Sequence, residues 1–426
     1  MYLEIDDFSW GYFILVAIIT FVSFFWIFNR SSRKKLYVIP FIIFFFAYSG
    51  AGVAWDGCEK EYLWYYSLWI IFFSITLSIV LGRKNEDSIE GRESVTTSFV
   101  IRNADFFIYL YILIALVSLA FSGNLSNLIS PPPPDLSGVM DQVASGKGEG
   151  GLLYYLKHIV FVFYFVSLYK YRNHLFKLFL FMFLPFYITY ANTAYMARST
   201  IMAYLIIYFI AIYYYNPHIR KKIRLFLFIG LPFIIIGLSF YTFIRLGRDV
   251  DISAGDSIKL LAYQETHFPN HYTLMKNLPF DWSLFKDYWE WLFTLPLPGF
   301  LKDPSKDFFF NAIFTERIYG RMRGTAEFSV SLPGVVGEGI FIFGRYFLVL
   351  HAIVLGLFVG TTYRIVKSKY EFFMFLYCSI FSASLIARAG TVSGYPMYLK
   401  SLLIYEIIVY WVARKNSHRK KITINS

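Results

Sequence analysis

The feature that most constrains this chain is the recurrence of apolar runs, each near twenty residues, along its 426-residue length. A helix needs about 20 apolar residues to cross the hydrocarbon of a bilayer, and such a helix satisfies its own backbone there. The spacing predicts eleven spans, at about 9–28, 37–55, 62–81, 104–121, 152–169, 176–191, 199–215, 225–243, 338–363, 371–387 and 399–413. The expected fold class is therefore all-α, a polytopic integral membrane protein. The acidic start (Glu4, Asp6, Asp7) and the length of the first run argue against a signal peptide.

Composition agrees. Hydrophobic residues make up 57% and aromatic residues 22%, while charged residues make up 16%. A single water-soluble core of this size has no room for so much apolar surface. The net charge of +12 does not point to nucleic acid, because the basic residues sit in short clusters between apolar runs. Two cysteines, Cys58 and Cys378, are too few for a disulfide framework or a metal site of their own.

The clusters also set an orientation. Arg30 to Lys35, Arg83 to Arg102, Lys170 to Lys177, Arg220 to Arg224, Arg364 to Lys369 and the tail Arg414 to Lys421 hold 23 of the 40 Lys and Arg residues. They fall in alternate connections, which the positive-inside rule assigns to the cytoplasm. The N-terminus is then expected outside and the C-terminus inside, with Cys58 open to an external thiol reagent and Ser417 closed to it. The chain divides into 1–244 with spans one to eight, a long external loop at 245–337, and 338–426 with spans nine to eleven and a basic tail.

The long loop exceeds the ~15 residues beyond which loops tend to be functional. Its segment 282–298 carries Trp282, Tyr288, Trp289 and Trp291 beside Asp281, Lys286, Asp287 and Glu290, a pattern expected of an interfacial helix in the headgroup layer. An earlier external loop, 122–151, joins Pro131–Pro134, an extended strut, to the glycine-rich stretch Gly146–Gly151. A phosphate-binding loop of the Gly-x4-Gly-Lys-Ser/Thr type is absent from the sequence.

Eight arginines gather on the expected outer side: Arg198, Arg245, Arg248, Arg317, Arg321, Arg323, Arg345 and Arg388. A charge near hydrocarbon is costly and usually has a partner or a task. Arginine stays ionised and grips phosphate oxygens with a planar fork, so the group suits an anionic ligand such as a pyrophosphate. The alternative for any one of them is snorkelling, or pairing with Asp249, Glu316, Glu327 or Glu338. The stretch from Arg321 to Gly339 is dense in glycine and polar residues as it enters a span, which fits irregular backbone lining a cavity or plain helix entry at Pro333. Asp249-Val-Asp251 and the pair His267/His271 do not amount to a metal site, since Pro269 breaks a helix between the histidines. His267 remains a candidate general base beside Glu265. His351 lies inside a span and reads as a packed or cavity histidine.

Four features together carry a resemblance. They are the eleven spans with a large late external loop, the motif Arg198-Ser199-Thr200 before a span, Arg245-x-x-Arg248 after another, and the block Ser331-Leu-Pro333-Gly334-x-x-Gly337-Glu338 running on to Phe343-Gly344. Arg323 and Gly334, with ten residues between them, add an Arg-x10-Gly pattern. In these the chain resembles the oligosaccharide repeat-unit polymerases, the O-antigen polymerase family of bacterial surface polysaccharide synthesis. The resemblance implies a multi-pass protein of the bacterial inner membrane that needs no cofactor and no metal. Its substrate would be an undecaprenyl-pyrophosphate-linked oligosaccharide, with a flippase and a chain-length regulator as partners. Arg198, Arg245, Arg248, Arg321 and Arg323 are then the expected pyrophosphate ligands, and Glu327, Glu338 or His267 the expected base. An O-antigen ligase, or a flippase for lipid-linked oligosaccharide, is the alternative.

Overall fold

The computed structural model describes residues 8–28, 32–55, 57–82, 100–131, 152–193, 198–215, 272–295, 308–322, 331–369 and 383–395, together with a few single positions. Among these the chain is helical, and the one extended pairing is an isolated bridge between Phe8 and Trp55. The main helices in chain order are α1 (Trp10–Ser23), α2 (Ser32–Phe45), α3 (Glu61–Leu81), α4 (Ala104–Phe121), α5 (Leu152–Ser167), α6 (Leu175–Thr193), α7 (Arg198–Tyr215), α8 (Trp282–Thr294), α9 (Phe310–Tyr319) and α10 (Gly334–Lys369). Four stretches are long and apolar enough to cross a membrane: Tyr37–Ala54, Glu61–Leu81, Ala104–Phe121 and Gly334–Arg364. The apolar helices α1 and α6 fall at two further predicted spans, and α5 and α7 at two more. The predicted span at 399–413 lies outside the described residues, as does all but three single positions of 225–243 and most of 371–387.

Two compact units do not follow chain order. The first joins residues 1–88, 258–369 and 379–399; the second joins 89–257, 370–378 and 400–426.

In the first unit α3 packs along α10. Gly356 and Gly360 make the close approach possible, since a Cβ on either would fall within 3 Å of Thr76 or Val80. Inside a bilayer, lipid is as apolar as leucine, so packing and hydrogen bonds hold helices together. The bonds here include Thr20 with Tyr66 at 2.7 Å, Tyr37 Oη donating to Val359 O at 2.9 Å, and Tyr62 Oη donating to Ser49 O at 2.8 Å. Each is worth about 0.6–2 kcal/mol in such a setting. The stretch after α2 changes pitch, first to a π-helical turn at Phe46–Gly50 and then to a 3-10 turn at Ala51–Ala54.

In the second unit α4 packs against α5, with Phe107 on Phe163 and Tyr111 on Tyr164 at ring separations of 5.1 and 4.6 Å. Asp105 binds Lys170 at 2.5 Å and the Tyr171 hydroxyl at 2.6 Å. Asn124 and Asn127 donate to the carbonyls of Asn192 and Ala191, which ties the turn after α4 to the end of α6.

Two sequence expectations need correction. The ninth span is not one uninterrupted helix over 338–363, because Gly344 has φ +65 and ψ 178 inside α10. That conformation costs about 1–3 kcal/mol for an L side chain, and glycine adopts it freely. Cys58 is not an open external reporter, since it is 2% exposed and burial pushes its thiol up to about 12.

Candidate functional site

The reversal at Gly344 organises the first unit. Residues 338 and 351 in a straight helix would stand about 20 Å apart. Here Glu338 Oε2 lies 3.5 Å from His351 Nε2, and a Cβ on Gly339 would fall 2.7 Å from Leu348 and 2.8 Å from His351 Nδ1. The short limb 334–343 is thus folded back along the long limb 345–369. A second reversal occurs at Gly390, where φ is +86 between the helical stretches 383–389 and 391–395. A Cβ on Gly394 would lie 3.2 Å from Ile386 Cα, against about 12 Å for a straight helix.

A cavity of about 760 Å³ lies beside the first reversal. Its wall includes Tyr65, Lys276, Phe280, Asp281, Arg317 and Arg345. The three cations come from different parts of the chain: Lys276 just before α8, Arg317 from the last turn of α9, and Arg345 directly after the reversal. Each also has a carboxylate within reach. Lys276 meets Glu59 at 2.5 Å, Arg317 meets Asp281 at 2.5 Å, and Arg345 meets Glu61 at 3.4 Å. Asp281 serves twice, because it also caps α8 through the backbone N–H groups of Ser283 and Leu284 at 2.9 and 3.2 Å. The Ser283 hydroxyl, the Arg317 guanidinium and that cap hold its carboxyl well below the usual carboxylate range.

Such a cavity can hold an anion. An incoming phosphate competes with part-exposed carboxylates for the cations that line this space, and it brings more oxygens than any one of them. Aromatic groups complete the wall. Phe280 and Trp282 meet edge to face at 4.8 Å, and Tyr346 is 91% exposed beside Arg345. Helix α8 has the amphipathic form its sequence suggests: Leu284 and Tyr288 face the core, while Trp282 and Phe293 are exposed.

The residues singled out from sequence fall as follows. Arg317 and Arg345 line the cavity. Lys276, which carries no motif, was missed; it belongs with them only through folding. Arg321 is exposed, with its guanidinium 5.6 Å over the Tyr319 ring, and is not on the cavity wall. Arg198 opens α7 in the second unit, and Arg388 is half-buried in the first. Arg245, Arg248, Arg323, Glu327, His267, His271, Asp249 and Asp251 lie outside the described residues.

Glu338 is fully buried and is not on the cavity wall. Its Oε1 accepts the Val392 N–H at 3.0 Å, and its Oε2 accepts the Thr391 N–H. His351, also fully buried, accepts the Trp69 indole N–H at its Nδ1, at 3.1 Å. An indole N–H only donates, so the imidazole proton sits on Nε2, facing Glu338. Among the described residues no cluster of three or more His, Cys, Asp and Glu has the form of a metal site. No protein-family model, no curated protein and no solved structure matches this chain.

Proposed function

We propose that this chain is a membrane glycosyltransferase that joins undecaprenyl-pyrophosphate-linked oligosaccharide units into an O-antigen or capsule-type polysaccharide. The observation that supports it is the cavity where Lys276, Arg317 and Arg345 meet beside exposed aromatic rings. All three cations fall on the external side of the eleven-span topology expected from the apolar runs and basic clusters, with the N-terminus outside, and the resemblance adds the bacterial inner membrane.

In this reading a terminal sugar hydroxyl of one unit attacks the anomeric carbon of a chain held on a second carrier. The new glycosidic C–O bond forms as the C–O bond to pyrophosphate breaks. The donor is already activated, so no nucleotide or metal is called for. Cations around the leaving pyrophosphate stabilise its growing charge, which is where preorganised electrostatics acts most strongly. Arg317, Arg345 and Lys276 are the proposed pyrophosphate ligands in this cavity. A base, Glu327 or His267, takes the hydroxyl proton. Exposed rings such as Trp282 and Tyr346 offer faces for sugars.

Two alternatives use the same lipid. A ligase would pass finished glycan to an acceptor core. A transporter is favoured by one specific observation, the paired helix reversals at Gly344 and Gly390, because discontinuous helices recur at transport sites. The glycan profile of cells without this protein separates the three. One repeat unit on the core indicates the polymerase. Finished lipid-linked polymer beside bare core indicates the ligase, and single units held on the inner leaflet indicate the transporter.

A further inference from the structure

The Glu338 carboxylate joins the two reversals. It sits on the limb before Gly344 and accepts from the two residues that follow Gly390. The fit is close, since a Cβ on Gly390 would lie 2.7 Å from the Glu338 carboxyl carbon. Two other side chains hold the same turn: Tyr288 meets Thr391 Oγ1 at 2.9 Å, and Asn311 donates to Ala389 O and Ser393 Oγ at 3.1 Å. The groups that face Glu338 among the described residues are His351, Tyr288, Tyr395 and these backbone amides.

We infer that Glu338 is a positioning residue whose carboxylate locks the Gly344 and Gly390 reversals together and so fixes the Ile340–Arg345 wall of the cavity. The chemistry behind this is donor and acceptor matching. Each carboxylate oxygen accepts a different backbone N–H, and Oε2 also faces the Nε2–H of His351. An ionised carboxylate offers acceptors only, whereas a protonated one would turn an O–H donor toward one of these sides. A glutamine has the same shape, yet its amide NH2 would face a backbone N–H on one side. The wall follows from geometry: Ile340, Phe341, Gly344 and Arg345 all line the cavity, two to seven residues beyond Glu338.

The positioning role rests on the cavity being an anion site, so the test has two arms, both on the full chain in nanodiscs. The first is hydrogen exchange over 386–395 in wild type, Glu338→Gln, Glu338→Ala and Gly390→Ala. The expected result is exchange at least about ten-fold faster in all three variants, with Gln as disruptive as Ala. Wild-type exchange in Glu338→Gln overturns the lock. Gly390→Ala keeps the glutamate but displaces it sterically and strains the backbone at φ +86, so wild-type exchange in this variant overturns the close fit even where the Glu338 variants fail to fold. The second arm is titration with inorganic pyrophosphate. The expected loss of affinity in Gly390→Ala is about ten-fold. A lock that opens with affinity unchanged overturns the positioning role. Wild-type protein that binds no pyrophosphate overturns the cavity reading, and the exchange arm still decides the lock.

Discussion

Glu338 and His351 stand thirteen residues apart in one apolar stretch and 3.5 Å apart in space, because the chain doubles back at Gly344 between them. That contact turns a stretch long enough to cross a membrane into a short limb packed on a long one. The long limb from 345 to 364 still has the ~20 residues a crossing needs. The short limb brings its buried carboxylate to a second reversal and its last residues to a cavity.

The reversal itself is the first thing to test. Gly344→Ala puts a side chain into a left-handed conformation and a Cβ 2.9 Å from the Phe280 ring. The expected cost is about 1–3 kcal/mol from the backbone alone. Unfolding of the purified protein by titration with denaturing detergent measures it, and a wild-type midpoint would mean that the chain does not turn there.

Asp281 gives a pH prediction. Its folded carboxyl titrates below its unfolded value, so its stabilisation is present above roughly pH 4 and is lost as pH falls through the folded value. Asp281→Ala should cost about 1 kcal/mol at pH 7 through the lost helix cap. Asp281→Asn keeps a capping oxygen and should cost less, because the ion pair with the 46% exposed Arg317 is screened by solvent. The gap between wild type and Asp281→Ala should close in acid; a gap unchanged down to pH 2 would contradict the assignment.

Cavity cations are the next target. Arg345→Ala and Arg317→Ala should each slow polymerisation by about 30- to 1000-fold, the loss expected when a preorganised contact to a leaving group goes. Arg→Lys should recover part of the rate, as it keeps the charge and loses the fork. Polymer length on gels, at matched membrane levels, reads this, and wild-type ladders from both Ala variants would remove the cavity from the mechanism.

Topology needs a reporter other than Cys58, whose burial and raised thiol leave it inert wherever it lies. Ser130 is exposed just after α4, in the expected external loop. Ser130→Cys should react with an impermeant thiol reagent on intact cells and Ser417→Cys should not. The opposite pattern would invert the orientation and place the cavity on the cytoplasmic side.

Several helices were legible because hydrophobic length is a local property. The predicted runs at 62–81, 104–121, 176–191 and 199–215 each match a helix to within a residue or two at their ends. The amphipathic α8 was legible for the same reason, from aromatic and charged residues at helical spacing. The reversal at Gly344 was not, since a lone glycine in an apolar helix does not announce a positive φ. Glu338 read as a candidate base from its place in a polar block, yet its partners Thr391 and Val392 lie more than fifty residues on. Lys276 carries no local signal, and only folding brings it beside Arg317 and Arg345.

The most direct measurement is polymerisation by the purified protein itself. Reconstituted into liposomes with undecaprenyl-pyrophosphate-linked repeat units and no nucleotide, it should convert them to a ladder of longer lipid-linked chains and release free undecaprenyl pyrophosphate. Single units recovered unchanged, from protein shown to be folded and correctly inserted, would contradict the account.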